Sequence, residues 1–293
     1  RIGVACAHAI FWSIASPLAV RTVPDGKRAL ALSAIATGSS VAMVVGLPLG
    51  RVVGLYVGWR MTFLSIAIIS ALIFVFILMV FPKLHSRGKF AVKELPALLH
   101  NRVLLGVFIM SVLFATAHYT GYSYIEPFLG KVAAMAPDTV TLVLIVFGGS
   151  GMFGSIAFSK YYMSNRRRFM LAVTLGPALC MLLLQAAATG MAYILAVCIL
   201  WGAMATAFNI AFQDNTIRFA PEHATSIGMS IFSGIFNLGI GSGAYVGGLV
   251  VSRLSIDYIG YAGGAIGVIA TLYLALRYFP NMRRREAADI KQK

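Results

Sequence analysis

The chain has 293 residues, 59% hydrophobic and 11% charged, with a mean hydropathy of +0.86 and a formal net charge of +15. A soluble domain carries about 25% charged residues, so these values exclude a water-soluble globular protein and indicate a polytopic membrane protein. The positive charge is divided among short loops between apolar runs, which excludes a nucleic-acid partner and leaves the lipid bilayer as the surface it meets.

Runs of about twenty apolar residues, each enough to cross a hydrocarbon layer of about 30 Å, recur along the whole chain. Span one, Arg1–Val20, carries His8, Ser13, Ser16 and Pro17, and a basic loop from Arg21 to Arg28 follows. Span two, Ala29–Gly50, contains Gly38, Gly46 and Pro48, small and kinking residues that let helices approach closely. Trp59 and Arg60 then mark a membrane interface. Span three, Met61–Pro82, is apolar on every side and is expected to touch lipid.

Lys83–Arg102 is the longest polar stretch. Phe90, Leu95, Leu98 and Leu99 are interspersed there with Lys89 and Lys93, so it reads as a linker with a short helix on the membrane surface. Six spans follow: Val103–Pro127, Val140–Met163, Phe169–Gly190, Tyr193–Gln213, Thr225–Val251 and Ile259–Phe279. The tail, Asn281–Lys293, reads as basic and solvated. The loops facing the same side as Arg21–Arg28 hold nineteen lysines and arginines; the opposite side holds five, Arg1, Arg51, Arg60, Lys131 and Arg253. That asymmetry places the basic side, with the C-terminus, in the cytoplasm. Cys6, Cys180 and Cys198 all lie in apolar spans and read as small packed hydrophobes.

Two stretches repeat at a shift of 197 positions. Arg21-Thr22-Val23-Pro24-Asp25 precedes Ala29–Gly50, and Arg218-Phe219-Ala220-Pro221-Glu222 precedes Thr225–Gly247. The same shift lays Ser33 on Ser230, Gly46 on Gly243 and Gly50 on Gly247. In each copy a cation ends one helix and an acid begins the next, which complements the helix dipoles. The repeat pairs spans one to three with spans seven to nine and leaves spans four to six without a partner. About ninety residues, three helices, are therefore expected ahead of Arg1, and the intact protein is expected to have two parallel six-helix bundles.

Several strings resemble a known family. Val23-Pro24-Asp25-Gly26-Lys27-Arg28-Ala29, Gly46-Leu47-Pro48-Leu49-Gly50 and Gly58-Trp59-Arg60-Met61-Thr62-Phe63 are similar to helices four to six of the proton-antiporter branch of major facilitator transporters. Ala7-His8-Ala9-Ile10-Phe11-Trp12-Ser13, Ala117-His118-Tyr119-Thr120, Tyr122-Ser123-Tyr124-Ile125-Glu126-Pro127 and Phe232-Ser233-Gly234-Ile235-Phe236-Asn237 resemble the bacterial sugar efflux transporters of arabinose efflux permease type. The chain departs from the branch where Leu47 separates Gly46 from Pro48 and where Val4 and Ala5 follow Arg1 in place of Gln and Gly. Ser164-Asn165-Arg166-Arg167-Arg168 stands where a second-half loop motif would carry an Asp.

The resemblance implies an all-α polytopic membrane protein of the major facilitator fold, with nine of twelve transmembrane helices present, equivalent to helices 4–12. The expected division is 1–82 for the second half of an N-terminal bundle, 83–102 for the linker, 103–280 for the C-terminal bundle and 281–293 for the tail. It implies proton-coupled efflux of arabinose-like sugars or thiogalactosides, by a monomer in a bacterial inner membrane, with protons as coupling ion and no cofactor. Multidrug efflux and a truncated, non-transporting fragment are the competing functions. No nucleophile–base pair or metal-ligand spacing suggests an enzyme.

An ionisable group inside the bilayer costs roughly 2.5–3.5 kcal/mol, so each needs a reason. His118, Tyr122 and Glu126 are spaced i, i+4, i+8, which places them on one helix face over about 12 Å. They read as a water-accessible stripe for substrate hydroxyls and protons, against a solvated Glu126 and a structurally bonded His118. His8 reads as either cavity-facing or packed. Thr206, Asn209, Gln213 and Thr216 form a second stripe; Ser226, Ser230, Ser233 and Asn237 form a third. Amides and hydroxyls suit sugar recognition without a buried charge, and also serve as interhelical glue. Arg21, Asp25, Arg218 and Glu222 are the loop signature. Asp214 reads as a solvated helix end, with a gate contact to Arg218 as the alternative.

Overall fold

The computed structural model describes residues 2–24, 26–80, 98, 100–221 and 224–291. Among the described residues, twelve α-helices run in order: α1 Ile2–Arg21, α2 Arg28–Tyr56, α3 Trp59–Val80, α4 Arg102–Tyr122, α5 Ile125–Lys131, α6 Pro137–Gly149, α7 Gly151–Tyr161, α8 Arg166–Ala187, α9 Met191–Phe219, α10 Thr225–Arg253, α11 Ile259–Tyr273 and α12 Phe279–Lys291. A π-turn, Leu274–Tyr278, joins the last two, and there is no strand among the described residues. Among the described residues, eight elements are long and apolar enough to cross a membrane; the α4–α5, α6–α7 and α11–α12 pairs each count as one. Helix α1 adds a shorter apolar stretch, Ile10–Arg21.

Local chemistry sets several boundaries. Asn101 caps α4 by accepting from the amides of Val103 and Leu104, and its amide donates to the Phe219 carbonyl. Asn165 caps α8 by accepting from Arg168 N at 3.1 Å. Gly58, at φ +98°, turns the chain between α2 and α3 in a conformation that glycine alone adopts freely.

Small residues bring the helices of the second half together. Along α10, Gly239, Gly243 and Gly247 pack on α4 so closely that an added Cβ would lie 2.6 Å from Ala115 Cβ, 2.6 Å from Thr116 O and 2.7 Å from Thr120 O respectively. Gly263, Gly264 and Gly267 of α11 meet α4 and α8 in the same way. This is the small-residue seam by which helices associate in lipid. Helix α3 has no buried residue, and no atom lies within 4 Å of a Cβ at Gly46.

Most of the linker expected at 83–102 lies outside the described residues. The tail departs from expectation: α12 continues as a helix to Lys291, with Met282 buried and Glu286 bound to Arg166 and Arg167. An acid set among basic neighbours reaches arginines of another helix, so the segment is anchored at Met282 and Glu286, while Arg283, Arg284 and Arg285 are exposed as expected. Cys180 and Cys198 are buried free thiols, and the side chain of Cys6 lies outside the described residues.

Candidate functional site

A cavity of about 270 Å³ opens between α1 and α2 on one side and α4, α6, α9 and α10 on the other. An adjoining cavity of about 250 Å³ shares Trp12, Tyr119, Asn209, Gln213 and Phe236 with it and continues along α10 to Asn237. The described residues lining the two include no Asp, Glu, Lys or Arg. Depth follows from helix rise. Gln213 lies about 9 Å from the basic end of α9, Asn209 about 15 Å and Trp201 about 27 Å.

Polar contacts close the floor towards the basic end. The Ser16 hydroxyl of α1 donates to Gln213 Oε1 of α9, and Gln213 Nε2 donates in turn to Asn209 Oδ1. At the next residue of α9, Arg28 Nε lies 2.6 Å from Asp214 Oδ1, and Nη2 donates to the Asp214 carbonyl at 2.7 Å. Asp214 also accepts from the Tyr162 hydroxyl at 3.0 Å. That hydroxyl accepts from Arg166 Nε at 3.3 Å and Asn215 Nδ2 at 3.0 Å. Arg166 Nη2 donates to Asn215 Oδ1 at 3.0 Å, and Arg166 and Arg167 end on Glu286 at 3.4 and 3.1 Å. Burial, reinforced by the Asp214 charge, pushes the Tyr162 phenol well above its ordinary pKa, so it stays a neutral donor to the carboxylate.

Asp214 is therefore no solvated helix end. It is buried, and its cation is Arg28, 186 positions away, and not Arg218, the partner that the alternative reading named. A carboxylate buried this deeply requires such a partner.

The far wall is aromatic. Phe208, Phe114, His118, Tyr122 and Phe147 form a continuous stack, with centroid separations of 3.5, 6.0, 5.3 and 5.2 Å along it. Tyr119 and Trp201 meet the imidazole edge-on. The Trp201 indole N–H donates to His118 Nδ1 at 3.0 Å.

The cavity brings together His118, Tyr122, Asn209, Gln213 and Asn237 from the sequence-predicted set. Asn237 Nδ2 is committed to the Ser233 carbonyl at 2.8 Å, leaving its own carbonyl for a ligand. Glu126 does not join them, which corrects the three-residue stripe. Ser123 and Tyr124 form a turn, Glu126 restarts the chain in α5 as an exposed residue, and it lines neither part of the cavity. Thr206 lines the cavity, while Thr216 is buried and bonded to the Phe212 carbonyl. His8 falls in α1, and its side chain lies outside the described residues, as do Asp25 and Glu222.

Arg21 and Arg218 line a separate cavity of about 840 Å³ at the basic end, between the two duplicated turns. The site residues missed by sequence reasoning are Ser16, Arg28, Tyr162 and Trp201. Only Ser16, a hydroxyl in an apolar span, carried a local signal. The others act through partners on distant helices.

A family model described as Major Facilitator Superfamily matches residues 1–228 and, overlapping, residues 165–293. The two matches together take in the whole chain, and repeated matching to one description is what an internally duplicated sequence produces.

Proposed function

Since the chain belongs to the major facilitator superfamily, whose members are secondary transporters and not enzymes, we propose that it exports small neutral sugars or sugar analogues from the cytoplasm in exchange for protons. The observation carrying this reading is the cavity itself, lined by amides, hydroxyls and aromatic rings, with no charged side chain among its described lining. Sugars offer hydroxyls that match amide and hydroxyl partners, and ring faces that lie on aromatic walls. A cationic drug would enter such a site with no counter-charge, and burying an unpaired charge costs several kcal/mol. The aromatic stack would serve a flat, uncharged drug, which is the second reading.

Alternating access fits the floor contacts. Ser16–Gln213 and Arg28–Asp214 each join the first three helices to the later ones, so opening the cavity towards the basic end requires breaking both. On the positive-inside argument that end is cytoplasmic.

The test uses everted vesicles carrying the chain, with radiolabelled L-arabinose, isopropyl thiogalactoside and an uncharged aromatic dye as probes. Uptake of the first two that collapses when the pH gradient is dissipated supports the proposal. Uptake of the dye alone replaces it with drug efflux. Absence of uptake for all three identifies a non-transporting chain.

A further inference from the structure

We propose that Trp201 is a positioning residue that holds His118 as the neutral Nε2–H tautomer, making a donor subsite in the cavity wall for an acceptor oxygen of the substrate. The identity of that oxygen rests on the sugar reading above; the tautomer does not.

The argument starts from the indole. A tryptophan N–H only donates, and Trp201 is fully buried with its Nε1 3.0 Å from His118 Nδ1. His118 Nδ1 must therefore accept, which places the single proton of a neutral imidazole on Nε2. His118 is 8% exposed and lines the cavity, and Nε2 has no hydrogen-bond partner among the described residues. An unpaired donor that reaches a cavity wall is a binding group for an acceptor.

The ring cannot easily turn over to carry Nδ1 away from the indole and put a carbon in its place. Phe114 and Tyr122 lie on its two faces at interplanar angles of 8° and 15°, and Tyr119 meets its edge at 82°. Trp201 is confined in turn, since a Cβ at Gly121 would lie 2.9 Å from its Cη2.

The same arrangement disfavours proton carriage by His118. An imidazolium bears N–H on both nitrogens and would turn one of them against the indole N–H. The groups facing the ring are Phe114, Tyr119 and Tyr122 from its own helix, Phe147 from α6 and Trp201 from α9, and none supplies a negative charge. The coupling proton is carried elsewhere.

The test is nitrogen-15 NMR of the full 293-residue chain with labelled histidine, in detergent and without substrate, His118 being assigned with His118→Gln. The Nε2–H pattern is expected to persist from about pH 8 to pH 5, and Trp201→Phe is expected to admit the imidazolium pattern within that range. An Nδ1–H tautomer or an imidazolium at neutral pH in the parent chain overturns the proposal, as does a Trp201→Phe spectrum unchanged from the parent. Should Trp201→Phe not fold, the parent spectrum alone decides. In L-arabinose uptake, His118→Gln, which keeps a donor, should stay within about threefold of the parent, whereas His118→Phe should lose about tenfold. Equal loss in both overturns the donor role. The expected spectra combined with no arabinose uptake by the parent overturn the sugar reading and leave the tautomer assigned.

Discussion

At Tyr162 one hydroxyl serves three partners. It donates to Asp214 and accepts from Arg166 and Asn215, linking the ion pair at the cavity floor to the arginines that hold α12. Removing the oxygen leaves a buried carboxylate one bond short and deprives the Asn215 amide of one acceptor, although it keeps the Ala211 carbonyl, at a cost of about 1–3 kcal/mol. Tyr162→Phe should therefore melt measurably lower in detergent. Glu286 accepts from two arginines as well, but it is part-exposed, and exposed pairs contribute about 0.2–1 kcal/mol. Glu286→Gln should lower the melting temperature less than Tyr162→Phe does, and the reverse order would remove Tyr162 from the centre of the network. None of this was visible in the linear pattern. The i, i+4 spacing of His118 and Tyr122 predicts a shared face because a helix fixes it, but no local rule pairs Asp214 with Arg28 across 186 positions.

Helices α4 and α10 show how an element's packing decides what its glycines tolerate. A methyl added at Gly243 would lie 2.6 Å from the Thr116 carbonyl oxygen, a backbone atom that cannot turn aside, whereas nothing lies within 4 Å of one at Gly241. Gly243→Ala should destabilise the chain by about 1–3 kcal/mol through overpacking. Gly241→Ala, on the same helix, should be neutral or gain up to about 1 kcal/mol from helix propensity. Thermal unfolding of the two variants in detergent separates them, and equal behaviour would show that the seam is not tightly packed. The helices themselves were largely legible, since a run of apolar residues in lipid has few other structures open to it. Their ends were less so. Helix α2 runs on to Tyr56, beyond the expected end at Gly50, and α9 runs to Phe219 past Asp214 and Asn215, whose polar side chains continue the helix because neighbours satisfy them. The break at Ser123 and Tyr124 was hidden for the opposite reason: the residues around it are apolar enough to read as one uninterrupted span.

Across the whole molecule, the 197-residue shift has a geometric counterpart. Ser16 and Gln213 are equivalent positions under it, and they meet; Arg21 and Arg218 are equivalent too, and they line one cavity. Equivalent positions of two copies approach each other at a shared twofold axis, and the cavity floor lies where these do. Transport by alternating access requires the two sides of that axis to move relative to each other, so a covalent bond between them should stop it. The contact of α2 with α7 provides the place. A Cβ built at Gly151 lies 3.5 Å from Ser40 Cβ, within the roughly 3.5–4.5 Å that a disulfide spans, and 2.6 Å from Thr206 Oγ1, a side-chain end that can rotate away. The double variant Ser40→Cys, Gly151→Cys should cross-link under oxidant, and L-arabinose uptake should fall to background in the oxidised form and return on reduction. Each single variant should be indifferent to oxidant. If the cross-link forms in full and uptake persists, α2 and α7 move as one body, and the surfaces that slide during transport lie elsewhere.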